Sequence, residues 1–160
     1  MTPMTEPEEI RFRPNVAGII QRGDGHVLIC ERMEPPGAWQ FPQGGVDPGE
    51  TYEEAFRREM VEEISLPPAA YAIVDRKGPY RYRFAGGRLK HGYHGQEQHY
   101  FVARLKEPEA QIDLCTDHPE FRDFRWIAPG DFNFDWVPDF KKEVYRAVFR
   151  DFFGIGHESA

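Results

Sequence analysis

The reading of this chain turns on residues 44 to 66: Gly44-Gly45-Val46-Asp47-Pro48-Gly49-Glu50-Thr51-Tyr52-Glu53-Glu54-Ala55-Phe56-Arg57-Arg58-Glu59-Met60-Val61-Glu62-Glu63-Ile64-Ser65-Leu66. From Pro42 to Gly49 the chain holds three glycines and two prolines, which reads as loop. Thr51 is placed to cap a helix that runs to about Ile64. Phe56, Met60 and Ile64 recur at steps of four and form its apolar stripe, and Pro67-Pro68 blocks continuation. Six carboxylates fall within fourteen residues, and Glu59, Glu62 and Glu63 stand at i, i+3 and i+4, on one helix face. Like charges stacked in this way destabilise a free helix. The pattern therefore points to a cation held there, against the plain alternative of a solvated acidic face. Hard oxygen ligands suit Mg²⁺ or Mn²⁺. The acids border the apolar stripe, so they are expected where core meets solvent.

Working outward, residues 16–21 and 26–32 are β-prone runs joined by Arg22-Gly23-Asp24-Gly25, a hairpin signal. Residues 39–41 read as a short strand. Residues 71–76, 80–84, 96–105 and 121–127 read as further strands, and the glycine-rich stretch 85–95 as a mobile loop. A second helix begins at about Pro138, which fits a first turn. Phe140, Val144, Val148 and Phe152 recur every four residues as its buried face. The order lacks regular β-α alternation, so the expected architecture is α/β with a mixed sheet between helices, a three-layer α/β/α sandwich.

The 160 residues suit one domain over residues 11–153, with tails at 1–10 and 154–160. No apolar run approaches the ~18 residues of a membrane span. Residues 1–9 lack the basic and apolar regions of a signal peptide. Two cysteines, Cys30 and Cys115, suggest no disulfide framework and favour a reducing cytoplasm. A net charge of −7 argues against non-specific coating of nucleic acid. Arg76, Lys77, Arg81, Arg83, Arg88 and Lys90 nevertheless form an acid-free basic stretch, either a solvated strand pair or a surface beside a polyanion. His91, His94 and His99 lack the spacing of a zinc site.

Gly44-x5-Glu50-x7-Arg58-Glu59-Met60-Val61-Glu62-Glu63-Ile64-Ser65-Leu66 resembles the Nudix box, the loop–helix–loop signature of pyrophosphate hydrolases. Its six matching polar or glycine positions have a chance probability on the order of one in ten million per start position. The pattern's closing glycine is Ser65 here. That position is expected at positive φ, where serine costs about 1 kcal/mol. Arg13-Pro14-Asn15-Val16, Trp39-Gln40-Phe41-Pro42-Gln43-Gly44-Gly45, Gly95-Gln96-Glu97-Gln98, His118-Pro119-Glu120-Phe121 and Phe140-Lys141-Lys142-Glu143-Val144-Tyr145-Arg146 extend the likeness to the bacterial RNA pyrophosphohydrolase branch, over about residues 11 to 152.

The resemblance implies Glu59, Glu62, Glu63 and Glu120 as ligands of Mg²⁺ (Mn²⁺ or another divalent cation as the alternative), with Gly44 letting the backbone approach the metal or a phosphate. It implies Glu59 or Glu120 as proton acceptor, and Glu50 as a residue that orients the loop or reaches the metal through water. Arg58 would hold a box carboxylate in place. Arg13, Arg32 and Lys141 match phosphate-contacting positions, Phe140 matches a base-stacking aromatic, and Gln43 joins them as a substrate-binding residue. The implied activity is conversion of a 5′-triphosphate or diphosphate RNA end to a monophosphate. Dinucleoside polyphosphate hydrolysis is the second reading and a non-catalytic nucleotide-binding module the third. The expected partners are an RNA 5′ end or a dinucleoside polyphosphate, with no DNA, no membrane and a monomeric chain.

Overall fold

A computed structural model describes residues 9–107 and 111–156. Most of the two expected tails, residues 1–8 and 157–160, lies outside the described residues. Seven strands make one mixed sheet: β1 (Phe12–Gln21), β2 (Val27–Arg32), β3 (Trp39–Gln40), β4 (Gln43–Gly45), β5 (Tyr71–Arg83), β6 (Gly95–Leu105) and β7 (Phe121–Ile127). Helix α1 (Tyr52–Ile64) packs on one face and α2 (Asp139–Phe153) on the other. The expected three-layer sandwich is the architecture observed.

Strand β1 lies at the centre because both of its faces are apolar. Ala17 and Ile19 join the core under α2, while Val16 and Ile20 join the core under α1. It runs parallel to β6 from Phe12↔Gly95 to Gln21↔Arg104, and β6 is antiparallel to β5. The β1–β2 hairpin turns where expected, with Arg22 N–H donating to His26 O at 2.9 Å. The two strands share only the Gln21↔Val27 pair and then diverge. Beyond that point β1 takes β4 as its partner and β2 takes β7. Residues 43–45 were expected as loop. They form a strand instead, because β1 offers them an open ladder at Ala17↔Gln43, Val16↔Gly44 and Asn15↔Gly45. Likewise the two expected strands 71–76 and 80–84 are one strand, β5, whose register shifts between Lys77 and Tyr80.

Helix α1 begins with a full capping box. Thr51 Oγ1 accepts from Glu54 N–H and Glu54 Oε1 accepts from Thr51 N–H, both at 3.1 Å. It ends at Ser65, left-handed at φ 59°, whose N–H returns to the last turn and whose hydroxyl donates to Asp113 O at 2.9 Å. The expected positive φ is thus present, and the serine hydroxyl gains a partner that glycine would lack. In α2, Pro138 sits at the N-cap, one residue ahead of the helix. Val144 and Val148 are buried as expected, and Phe140 and Phe152 are half-buried. Tyr145 and Phe149 complete that core, with Phe41 stacked on both at ring-centroid distances of 5.7 and 5.6 Å.

Candidate active site

The ends of several strands meet the C-terminal half of α1 and the N-terminal turn of α2 around a cavity of about 800 Å³. Ten residues singled out in the sequence line it: Arg13, Arg32, Gln43, Gly44, Glu59, Glu62, Glu63, Glu120, Phe140 and Lys141. Arg58 and Glu50, the remaining expected site residues, are absent from the lining, and Arg58 lies behind the acidic wall.

Helical spacing delivers the acidic wall. Arg58 binds it together from behind. Its Nε and Nη2 grip both oxygens of Glu50, at 2.7 and 2.9 Å, and Nη2 also reaches Gly45 O at 2.8 Å. Its Nη1 reaches Glu59 at 2.8 Å and Glu62 at 3.0 Å. This arrangement ties the loop before the helix to the helix itself, and charge-assisted, forked bonds of this kind are the strong ones. The Arg58 guanidinium, aided by the Asp47 N–H, holds the Glu50 carboxyl down at about 2. Glu50 is thus committed to orienting the loop.

Glu59 and Glu63 are in the opposite situation. Glu59 is buried, and a Cβ built on Gly44 would run into its carboxyl, so glycine is required for the close approach. Burial raises the Glu59 carboxyl above its ordinary value, with Arg58 opposing. Burial pushes Glu63 up to about 8, and the charges of Glu120 and Glu59 add to the rise. Glu63 Oε2 is buried with no hydrogen-bond partner. A buried orphan oxygen amid mutually repelling carboxyls is a site short of positive charge. The donor set is all hard oxygen and fits a divalent cation. Among the described residues no group of three or more His, Cys, Asp or Glu side chains stands ready-made around one point.

The facing wall is cationic. Arg13 approaches through β1, Arg32 ends β2, Arg88 and Lys90 come from the turn after β5, and Lys141 lies in the first turn of α2. Among the described residues none of these five makes a salt bridge. A Cβ on Gly45 would strike the Arg13 guanidinium, so a second glycine shapes this wall too. Lys141 is only 6% exposed, and burial, reinforced by Arg32 and Lys90, lowers its ammonium to about 7. Phe140 faces the cavity while packing on Tyr82 and Phe84, at ring-centroid distances of 5.6 and 6.4 Å. It serves core and cavity at once. Of the basic stretch, only Arg88 and Lys90 reach the cavity. Arg76, Lys77 and Arg81 lie over aromatic rings elsewhere. Sequence reasoning missed Asn15, Gln40, Tyr82 and Gln96 as lining residues. Three of them sit inside the quoted outer motifs, which was the available signal.

Chemically, the cavity pairs a carboxylate wall, suited to a divalent cation, with uncompensated cations suited to a polyanion. The sequence profile of the NUDIX domain matches residues 11–148. The chain is 40% identical over 154 residues to the RNA pyrophosphohydrolase of Erythrobacter litoralis, covering 91% of this chain and 93% of that protein. It is 39% identical over 147 residues to the RNA pyrophosphohydrolase of Hahella chejuensis, covering 88% and 90%. Among solved structures it resembles the Escherichia coli dihydroneopterin triphosphate pyrophosphohydrolase (TM-score 0.70, 21% identity, 91% of this chain and 97% of that one). It also resembles a Caenorhabditis elegans Ap4A hydrolase binary complex (TM-score 0.65, 21% identity, 89% and 99%). At those identities the structural likeness concerns the fold.

Proposed function

The chain belongs to the NUDIX domain family, and on that premise we propose that it is an RNA 5′ pyrophosphohydrolase whose acidic wall works with Mg²⁺. The activity class, hydrolysis of a phosphoanhydride, goes with the family and with the relatives named RNA pyrophosphohydrolase. The observation that carries the substrate assignment is the bipolar cavity, with four carboxylates opposite five cations that lack salt bridges among the described residues. Such a cavity suits a short, highly charged polyphosphate end better than the body of a nucleic acid, and the net charge of −7 agrees.

In this reading Glu59, Glu62, Glu63 and Glu120 hold the divalent cation. When bound, it supplies charge neutralisation on the phosphates and lowers the pKa of water. Arg13, Arg32 and Lys141 hold the 5′ phosphates in line, and binding of an anion draws Lys141 back to its charged form. Arg88 and Lys90 are added to that set from the turn after β5. Phe140 stacks a base, an interaction worth ~1–3 kcal/mol. Glu120 is exposed and, among the described residues, bonded to no cation, whereas Glu59 has an oxygen committed to Arg58. Of the two expected proton acceptors, Glu120 is therefore the better placed to take the proton of the attacking water. Gly44 and Arg58 position Glu59, and neither touches the reacting atoms. The domain is taken as residues 11–153. No helix among the described residues is long and apolar enough to cross a membrane. The free thiols of Cys30 and Cys115 suit a reducing cytoplasm.

The decisive experiment follows phosphate or pyrophosphate release from triphosphorylated RNA with and without Mg²⁺. Metal-dependent turnover is expected, reduced at least ~100-fold in Glu63→Gln and in Glu120→Gln with unchanged secondary structure. Absence of turnover in the native protein defeats the assignment. The second reading is hydrolysis of diadenosine tetraphosphate, a short polyphosphate to which the same bipolar cavity is suited. A higher kcat/KM on that compound than on RNA ends would transfer the main activity to it.

A further inference from the structure

The cavity floor covers a chain of buried polar side chains that the function just described leaves unused. It starts at the Tyr100 hydroxyl, which is buried, where an unspent hydroxyl proton is costly. Tyr100 then donates to Gln98 Oε1 at 3.3 Å. With that oxygen engaged, Gln98 Nε2 spends its protons on Asn15 Oδ1 at 3.0 Å and Gln43 Oε1 at 2.6 Å. Beside this chain, the Tyr82 hydroxyl donates to Gln96 Oε1.

The Gln98 links inherit their direction from the Tyr100 hydroxyl, whose proton engages Gln98 Oε1. Asn15, Gln43 and Gln96 line the cavity, and each has its carbonyl oxygen consumed from below. What remains for them to show the cavity is amide N–H. Strand geometry explains how the chain is assembled. Gln96, Gln98 and Tyr100 alternate along β6 and share its face toward α2.

We propose that Gln98, buried beneath the floor and outside the cavity, is a positioning residue that turns the floor amides so that the cavity presents N–H donors to the acceptor-only oxygens of a polyphosphate. Reversing the chain would present amide carbonyls to those oxygens instead. Gln98 is the branch point at which one orientation sets two amides. The inference rests on the polyphosphate-end reading above, and its test separates the two.

Binding of inorganic tripolyphosphate without divalent metal is measured by calorimetry, beside steady-state turnover of triphosphorylated RNA. Gln98→Met keeps a similar volume, adds no charge and releases both amides. It should weaken tripolyphosphate binding and raise KM by about tenfold, with kcat within about threefold of native. Tyr100→Phe removes only the hydroxyl that fixes the direction, and should weaken binding by about threefold. If Gln98→Met fails to fold, Tyr100→Phe decides. A merely structural role would lower the thermal midpoint without separating KM from kcat. Native tripolyphosphate affinity in the folded variants overturns the inference while RNA turnover keeps the activity. The expected binding losses in a protein that turns over no RNA end would defeat the activity and keep the floor.

Discussion

The two walls of the cavity are built on opposite plans. The acidic wall comes largely from one stretch of helix, and Arg58 balances part of its charge from within. The basic wall is collected from β1, β2, the turn after β5 and α2, and among the described residues its cations meet no carboxylate. The first wall is largely a folding unit, and among the described residues of that wall only Glu63 is left with a buried, unpartnered oxygen. The second wall is an electrostatic surface with no carboxylate partner among the described residues, and in the proposed function the substrate supplies the missing charge. Mutations should therefore tell the walls apart. Damage to the internal cation of the acidic wall costs stability and activity together, whereas damage to the basic wall costs binding and can even stabilise the fold.

The sharpest way to break this contrast is Arg58→Met. It leaves buried Glu59 without its cation and releases Glu50 and Glu62, so urea denaturation should show a loss of roughly 3 kcal/mol, with turnover nearly abolished. A variant of native stability would mean that the acidic wall is not internally balanced.

Lys141→Met tests the other wall. The lysine's proton is held less tightly in the folded state, about 7, than in the unfolded chain, where the ordinary value is 10.5. Between those values the unfolded state binds the extra proton, so native stability rises with pH across that window, and the burial penalty is fully present below about 7. Lys141→Met should therefore be more stable than native at pH 6, by on the order of 2 kcal/mol, with the difference shrinking toward pH 10. Its KM should rise about tenfold. Parallel stability–pH curves for the two proteins would remove Lys141 as a buried, uncompensated cation.

Phe140→Ala has the smallest expected effect and sharpens the boundary between the walls and the core. Half-buried against Tyr82 and Phe84, the ring should contribute ~1 kcal/mol to stability and about fivefold to KM. A loss above about 3 kcal/mol with unchanged KM would make it a core residue only.

Much of the acidic wall was legible in the sequence because helical periodicity is local. The i, i+3, i+4 spacing of Glu59, Glu62 and Glu63 and the Thr51 cap follow from neighbours within a few residues, whereas the left-handed Ser65 is what the resemblance to the box implies. Residues 43–45 were misread as loop for the complementary reason. Glycine and proline content describes local preference, while the open edge of β1 that recruits β4 is made by a distant part of the chain. The β5 strand was split at Gly78-Pro79 because turn chemistry cannot show that β6 pairs on both sides of that dipeptide.

By itself, then, the sequence determined the helices, most strands, the order of layers and the carboxylate cluster, since each is encoded at helix or strand period. Only the tertiary structure decided which cations face those carboxylates, how deeply Lys141 is buried, and which way the floor amides point. Those properties depend on contacts between residues as far apart as Asn15 and Gln98, or Phe41 and Tyr145. Proton direction and desolvation arise from enclosure, and enclosure exists only once the sheet and both helices have closed.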